Sequence, residues 1–234
     1  MANKAKNDRS ADDTTNAKPK SVARETAEAI FIALLLALFI RTFIVQAFKI
    51  PSGSMMNTLL IGDHILVSKF SYGIHIPNEI PFLDIKLFDD IVLFSDTPER
   101  GDVIVFKFPK NESKDFIKRV VGVPGDLLEI RDQQVYINNK LLDEPYVWHQ
   151  DPDGMISTDP RRDNLAPILV PPGHLFMMGD NRENSQDSRF WGLLDVAKVK
   201  GRAQIIYWSW DATAKEAGFF DGWVRFDRFG KSID

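Results

Sequence analysis

The chain of 234 residues contains no cysteine. That absence excludes a disulfide framework, thiolate catalysis and cysteine-based metal sites. Histidine is sparse as well: His64, His75, His149 and His174 are the four present. No two of them are spaced as ligands on one element, so no metal is expected, and no cofactor either. Only His64 has a carboxylate as sequence neighbour, Asp63, which makes a Ser/His triad a weak candidate. Excess positive charge is also missing. A formal net charge of −4 gives no broad basic field, so nucleic acid is not an expected partner. No internal repeat recurs at a fixed period. A hydrophobic content of 44% is ordinary for a globular chain and by itself forces no membrane class.

One long apolar run is present. Ala29 to Ile40 is uncharged throughout. Alone it makes about 18 Å of helix against a hydrocarbon core of about 30 Å. Counted from Val22 to Val45 the stretch reaches about 24 residues, enough to span, with Arg24, Glu25, Glu28 and Arg41 near its ends. A buried soluble helix would leave the basic leader unexplained. A cleaved signal peptide fits poorly, because the leader is long, carries acids and is followed by no clear small-x-small site. The expected organisation is a disordered basic leader over 1–23, a transmembrane anchor helix over 24–42 and a β-rich domain over 43–234. Lys4, Lys6, Arg9, Lys18, Lys20 and Arg24 place the N-terminus in the cytoplasm by the positive-inside rule and everything after Arg41 outside.

Beyond the anchor the chain reads as strands. Phe43–Ile50, His64–Phe70, Asp102–Phe108, Phe116–Val123, Leu127–Ile130, Val135–Ile137, Leu175–Met178, Ala203–Trp210 and Trp223–Phe226 are short apolar segments. Turns such as Gly62-Asp63, Arg100-Gly101 and Pro124-Gly125-Asp126 punctuate them, which predicts an all-β domain. Residues 143–172, rich in Asp, Pro and Arg, read as an inserted surface loop.

Three constellations carry chemistry. In Phe48-Lys-Ile-Pro-Ser-Gly-Ser-Met-Met56, a serine beside a glycine can expose its hydroxyl and keep its backbone N–H free, as an acyl-transfer nucleophile requires; a solvated turn is the plain alternative. In Phe116-Ile-Lys-Arg-Val-Val-Gly122, strand alternation puts Lys118 on the same face as Phe116 and Val120. There it is either a charged sheet-edge residue or a buried amine whose lowered pKa lets it take a proton from a hydroxyl. The stretch Gly179 to Gly192 is a dense polar loop in which Asp187 and Arg189 can pair. Taken alone it is a surface loop with local caps.

Together with Gly62–Gly73, Arg100–Phe106 and Pro124–Asp126, these segments, in this order over residues 48–192, resemble the bacterial type I signal peptidases, or leader peptidases. The resemblance implies an all-β domain of coiled antiparallel sheets behind one N-terminal transmembrane helix. It implies a Ser/Lys dyad with Ser54 as nucleophile and Lys118 as general base. Ser52 matches the hydroxyl that shares the oxyanion hole with the Ser54 N–H. Ser185 matches the side chain that orients the lysine, and Asp187, Arg189 and Arg119 match supporting positions. Ile50 and Ile117 look like walls of shallow substrate pockets. Asn57 departs from the pattern, standing where the family commonly has proline.

The implied activity is removal of signal peptides from exported preproteins after Ala-x-Ala-like sites. The implied partners are those signal peptides and the lipid bilayer. The implied location is the bacterial cytoplasmic membrane, single-pass, with the catalytic domain on the outer, periplasmic side. The short distance in sequence from Phe48 to Ser54, at most about 17 Å of extended chain, keeps Ser54 near the membrane face. The alternative is a membrane-tethered β-domain that binds exported chains without cutting them. A repressor-type Ser/Lys autoprotease would need a DNA-binding segment, and none is legible.

Overall fold

The computed structural model describes residues 22–72, 74–76, 91–93, 96–149, 162–211 and 223–234. The chain divides into one unit ending at Leu38 and a second running from Phe39 to Asp234. In the first, helix α1 spans Val22–Phe39, 18 residues, with Glu25 in its first turn and an Arg24–Glu28 pair at 2.9 Å. Alanine and leucine favour this helix, and an acid near its N-terminus suits the helix dipole. Ile30, Phe31, Ile32, Leu34, Leu35, Leu36, Leu38 and Phe39 are each at least 50% exposed and point to every side of it.

The helix expected over 24–42 has other bounds in the structure. The α-helix ends at Phe39 and gives way to a π-helical turn, Ile40–Ile44. Among the described residues no helix is long and apolar enough to cross a membrane. Two causes are visible. Arg24, Glu25 and Glu28 occupy its first two turns, and 18 residues at about 1.5 Å each make about 27 Å, short of a hydrocarbon core of about 30 Å. Residues 1–21, most of the expected leader, lie outside the described residues.

The second unit is mostly β, with antiparallel ladders throughout. Its strands are β1 (Val45–Lys49), β2 (Asp63–Ser68), β3 (Ile74–Ile76), β4 (Ile91–Leu93), β5 (Val103–Lys107), β6 (Asp115–Gly122) and β7 (Leu127–Arg131). They continue as β8 (Gln134–Ile137), β9 (Lys140–Leu141), β10 (Leu165–Leu169), β11 (His174–Met178), β12 (Leu194–Asp195), β13 (Val199–Ser209) and β14 (Lys231–Ser232). A single-turn helix, α2 (Ser188–Trp191), precedes β12. The main sheet runs β1-β2-β13-β5-β6-β11-β12, with β14 also on β13. A second sheet runs β10-β7-β8-β9, and β3 pairs with β4.

Strand alternation explains how this sheet is buried on both faces. Val103 and Val105 of β5 join Ile50, Met55, Leu59, Ile65 and Ile206 in one cluster, while Ile104 and Phe106 join Val120, Leu175 and Met177 in another. Strand β11 repeats the pattern beyond β6: Phe176 and Met178 pack with Val121, Leu128, Ile130 and Val135 between the two sheets.

Two expected elements differ. The span 143–172, read as an inserted loop, contains β10, paired with β7; residues 150–161 lie outside the described residues. Trp223–Phe226 forms no strand. It supplies one isolated bridge, Trp210 to Val224, and enters a 3-10 turn at Phe226–Arg228.

Candidate active site

Ser54 opens a non-repetitive turn between β1 and β2. The ends of that turn are tied by the Ile50 N–H to the Asp63 carbonyl (2.8 Å) and the Gly62 N–H to the Ile50 carbonyl (3.0 Å). Met55 and Leu59, both 0% exposed, pin it to the core. Inside it, the Met56 N–H donates to the Gly53 carbonyl and the Leu59 N–H to the Met55 carbonyl. Asn57 sits at φ 86, in the left-handed region that asparagine tolerates and proline cannot enter.

The polar loop expected from Gly179 onward docks on this turn. Asn181, wholly buried, donates from its N–H to the Ser54 carbonyl (3.1 Å) and from Nδ2 to the Gly53 carbonyl (3.0 Å). Gly179 is required by that approach: a Cβ there would lie 2.3 Å from Ser185 Oγ and 2.4 Å from the Ser54 carbonyl oxygen. Asp187, also wholly buried, caps α2, accepts from the Gly179 N–H at 3.1 Å and holds Arg189 through both carboxylate oxygens at 2.8 Å.

Lys118 lies on β6 opposite Ile104 of β5. It is 4% exposed, and its Nζ lies 5.4 Å from the centre of the Phe116 ring. The amine reaches the Ser54 hydroxyl oxygen at 2.7 Å and donates to the Ile117 carbonyl at 2.8 Å. Burial is the largest influence on it and lowers its pKa from 10.5 to about 8, against the opposing pull of Asp187 and Asp180. The buried alternative for Lys118 therefore describes this structure, and a solvated, charged edge residue does not.

Arg119, the next residue, is 1% exposed and forks onto Asp180 at 2.9 and 2.8 Å. Its guanidinium also lies 3.9 Å from the Tyr146 ring centre and donates to Thr58 Oγ1 at 3.2 Å. Thr58 Oγ1 donates in turn to Asp180 Oδ2.

A groove of 530 Å³ runs past these groups, lined by Pro51, Ser52, Ser54, Ile117, Lys118 and Gln186 among others. Beside it a cavity of 190 Å³ is walled by Phe48, Ile50, Val105, Asp115 and Ile117. Strands β1 and β6, far apart in sheet order, thus meet across this cavity, which is the mark of a coiled sheet. Residues Asp115–Lys118 of β6 pair with β5 on one side, while β11 pairs only with Arg119, Val120 and Gly122 on the other. Among the described residues that leaves this edge of β6 without a strand partner along the groove.

Most of the residues singled out from the sequence meet here. Ser52 is exposed on the groove wall. Among the described residues the Ser54 N–H donates to no protein acceptor. Ile117 borders both cavities; Ile50 borders only the smaller one and is otherwise a core residue, 2% exposed. Ser185 is the exception. Its hydroxyl is buried without a hydrogen-bond partner, and the bonds of Lys118 go to Ser54 and Ile117 instead, so it does not orient the amine in this arrangement. The described histidine side chains engage elsewhere: His64 edges onto Tyr207 and Trp210, His149 meets Glu183 and His174 meets the Pro172 carbonyl.

Sequence reasoning missed Thr58, Asp180, Asn181, Tyr146 and the Glu144–Arg182 ion pair. The available signal was an acid, Asp180, in the same polar loop as Ser185, Asp187 and Arg189. Its partner could not be read from spacing.

A family model described as "Signal peptidase, peptidase S26" matches residues 23–208. The chain is similar to signal peptidase I of Pseudomonas aeruginosa, 36% identical over 215 residues that cover 80% of this chain and 72% of that one. It is similar to signal peptidase I of Aquifex aeolicus, 32% identical over 237 residues that cover 80% and 84%. A solved signal peptidase I from Enterococcus faecalis aligns at 32% identity over 46% of this chain and 97% of that one, with a TM-score of 0.37.

Proposed function

Because the chain belongs to the signal peptidase family, peptidase S26, a family of serine peptidases that remove signal peptides, we propose that it cleaves exported preproteins with Ser54 as nucleophile and Lys118 as general base. The observation that carries this reading is the 2.7 Å contact between Lys118 Nζ and Ser54 Oγ, with the amine 4% exposed and its pKa lowered to about 8.

In the neutral form the amine lone pair faces the serine hydroxyl, which then donates to it. Lys118 takes the Ser54 proton as Oγ bonds to the scissile carbonyl carbon. The carbonyl oxygen gains the negative charge, and the Ser54 N–H and the Ser52 hydroxyl hold it. A single donor of this kind is typically worth about 2.7–4 kcal/mol in the transition state. Lys118 then gives its proton to the leaving amine, and a water hydrolyses the ester. Asp187, Arg189, Arg119 and Asp180 fix the loop and strand that frame the dyad.

The substrate binds as an extended strand. The free edge of β6 at Asp115–Lys118 offers backbone groups for strand addition, and the cavities bordered by Ile117 offer shallow seats for small side chains. This accounts for a preference for Ala-x-Ala sites.

The protein is tethered to the bacterial cytoplasmic membrane through the apolar stretch of α1 and the turn after it. The leader lies in the cytoplasm and the domain from 43 onward on the outer side. What supports the tether is the chemistry of the later turns of α1: from Ile30 to Phe39 exposed apolar side chains lie on every side, a surface that is not stable facing water.

The test compares wild type with Ser54→Ala and Lys118→Met on an Ala-x-Ala precursor in detergent. An active wild type with two folded, inactive variants is the expected result. A domain that only binds exported chains would give no cleavage by any of the three.

A further inference from the structure

The chain carries a formal net charge of −4, yet one end of its main sheet is basic. Strand β1 leaves the turn Ile40–Ile44 at Val45. The ladders place Val45 opposite Ser68 of β2, Ser68 opposite Arg202 of β13, Val199 opposite Phe106 of β5, and Lys107 opposite Asp115 of β6. These strand ends share the end of the sheet that is nearest to α1 along the chain. On it stand Arg41 in the turn, Lys69 after β2, Lys200 on β13, Lys107 closing β5, and Lys110 and Lys114 in the β5–β6 hairpin. Four strand spacings of about 4.8 Å make this row about 19 Å long.

The row is crowded with like charge. Burial lowers the pKa of Lys69, and the nearby cations Lys200 and Arg41 lower it further. Lys69 Nζ donates to the Thr42 carbonyl at 3.1 Å. The acids beside the row are already paired: Asp115 with Lys200 at 2.8 Å, Glu112 with Lys198, and Asp102 with Arg202 at 3.1 Å. Among the described residues Arg41, Lys107, Lys110 and Lys114 pair with no carboxylate, and all four are exposed. Apolar surface lies between the charges. Phe70, 55% exposed, follows Lys69, and a cavity of 300 Å³ lined by Val45, Leu66, Phe70 and Ile205 opens beside it. Cations on long stems next to exposed aromatic and aliphatic groups suit a surface that is anionic at its rim and apolar beneath. An acidic soluble partner accounts for the cations alone.

We propose that this basic end of the sheet is a docking surface for anionic phospholipid of the outer leaflet, with phosphodiester groups seated along the row from Arg41 and Lys69 to the β5–β6 hairpin. The inference rests on the membrane tether proposed above. Its consequence is orientation. The hairpin is closed by the Phe108 N–H on the Lys114 carbonyl at 2.9 Å and stiffened by Phe108 stacked on Phe116 at 4.2 Å. It runs directly into Asp115–Lys118, the edge that offers itself to substrate. Headgroup contact holds that edge at the depth where a signal peptide leaves the bilayer.

Because the chain has no cysteine, Ser113→Cys gives a single labelling site at the exposed hairpin tip. The full chain with a fluorophore there is reconstituted into vesicles of phosphatidylcholine, alone or with about one third phosphatidylglycerol, each holding a quencher lipid with a nitroxide headgroup. A second protein adds Lys107→Gln, Lys110→Gln and Lys114→Gln. Each lysine near an anionic surface contributes about five-fold to association. The expected result is quenching at least about three-fold stronger in the anionic vesicles, lost in the triple variant and lost in about 1 M salt, where the Debye length is about 3 Å. Equal quenching in both vesicles, or quenching that survives the triple substitution or the salt, would overturn the proposal. Flotation separates this surface from the tether. A chain that floats with phosphatidylcholine vesicles and shows no anionic response keeps the tether and loses the surface. A chain that floats only with phosphatidylglycerol keeps the surface and loses the tether, and one that floats with neither loses both.

Discussion

The pH dependence of cleavage follows from the burial of one amine. A solvated lysine has its pKa near 10.4 and is almost wholly charged at pH 7. In Lys118 the value falls to about 8, because burial disfavours the charged form and the carboxylates of Asp187 and Asp180 only partly offset that loss. In the proposed mechanism the reactive form is the neutral one, so activity should be lost as pH falls. The neutral fraction is about 1% at pH 6, about 10% at pH 7, half at pH 8 and about 90% at pH 9. Thus kcat/KM should climb about ten-fold per unit below pH 7.5 and level above pH 9. The assay is initial-rate cleavage of a peptide with an Ala-x-Ala site and no group titrating between pH 6 and 10, at fixed ionic strength. A flat profile between pH 6 and 9 would refute an amine base. A rate still climbing ten-fold per unit beyond pH 9.5 would refute the burial argument, since that is the behaviour of a solvated lysine.

Three other outcomes follow from the same groups. Lys118→Met should be inactive yet more stable than wild type at pH 7, by up to about 3 kcal/mol for a shift of about 2.5 units. A folded-state pKa below the unfolded one means that the penalty of the charged amine is full below pH 8 and fades as pH rises toward 10.5, so urea unfolding at pH 7 and pH 10 should show the difference shrinking. Gly179→Ala places a Cβ 2.4 Å from the Ser54 carbonyl oxygen, and should cut kcat at least ten-fold while the protein still melts cooperatively. Arg119→Leu strands the buried carboxylate of Asp180, which should destabilise the fold by about 3–5 kcal/mol in urea titrations.

Much of the β domain was legible because its strands announce themselves by alternation and by glycine turns. The ladders around β5, β6 and β7–β8 start and end within a residue or two of the expected segments. The face of Lys118 was legible for the same reason. Strand β10 was not, because Leu-Ala-Pro-Ile-Leu contains Pro167 in a stretch already rich in turn formers. As an edge strand with a register shift between Leu165 and Ile168, it tolerates the proline. The helix end was misplaced because hydropathy carries on through Ile40–Ile44 while the backbone changes to a π turn. The resemblance supplied Ser54, Ser52 and Lys118. It could not supply the hydrogen bonds of Asn181, Thr58 and Arg228, which join residues far apart in sequence and leave no periodic trace. For Ser185 it implied a contact that this arrangement does not make.

The most direct measurement is an NMR titration of the Lys118 side chain in the folded, full-length protein, assigned against Lys118→Met. A midpoint near pH 8, well below those of the surface lysines, is the predicted result. A midpoint above 10, together with those surface lysines, would contradict the claim that this amine is dry and ready to take the Ser54 proton.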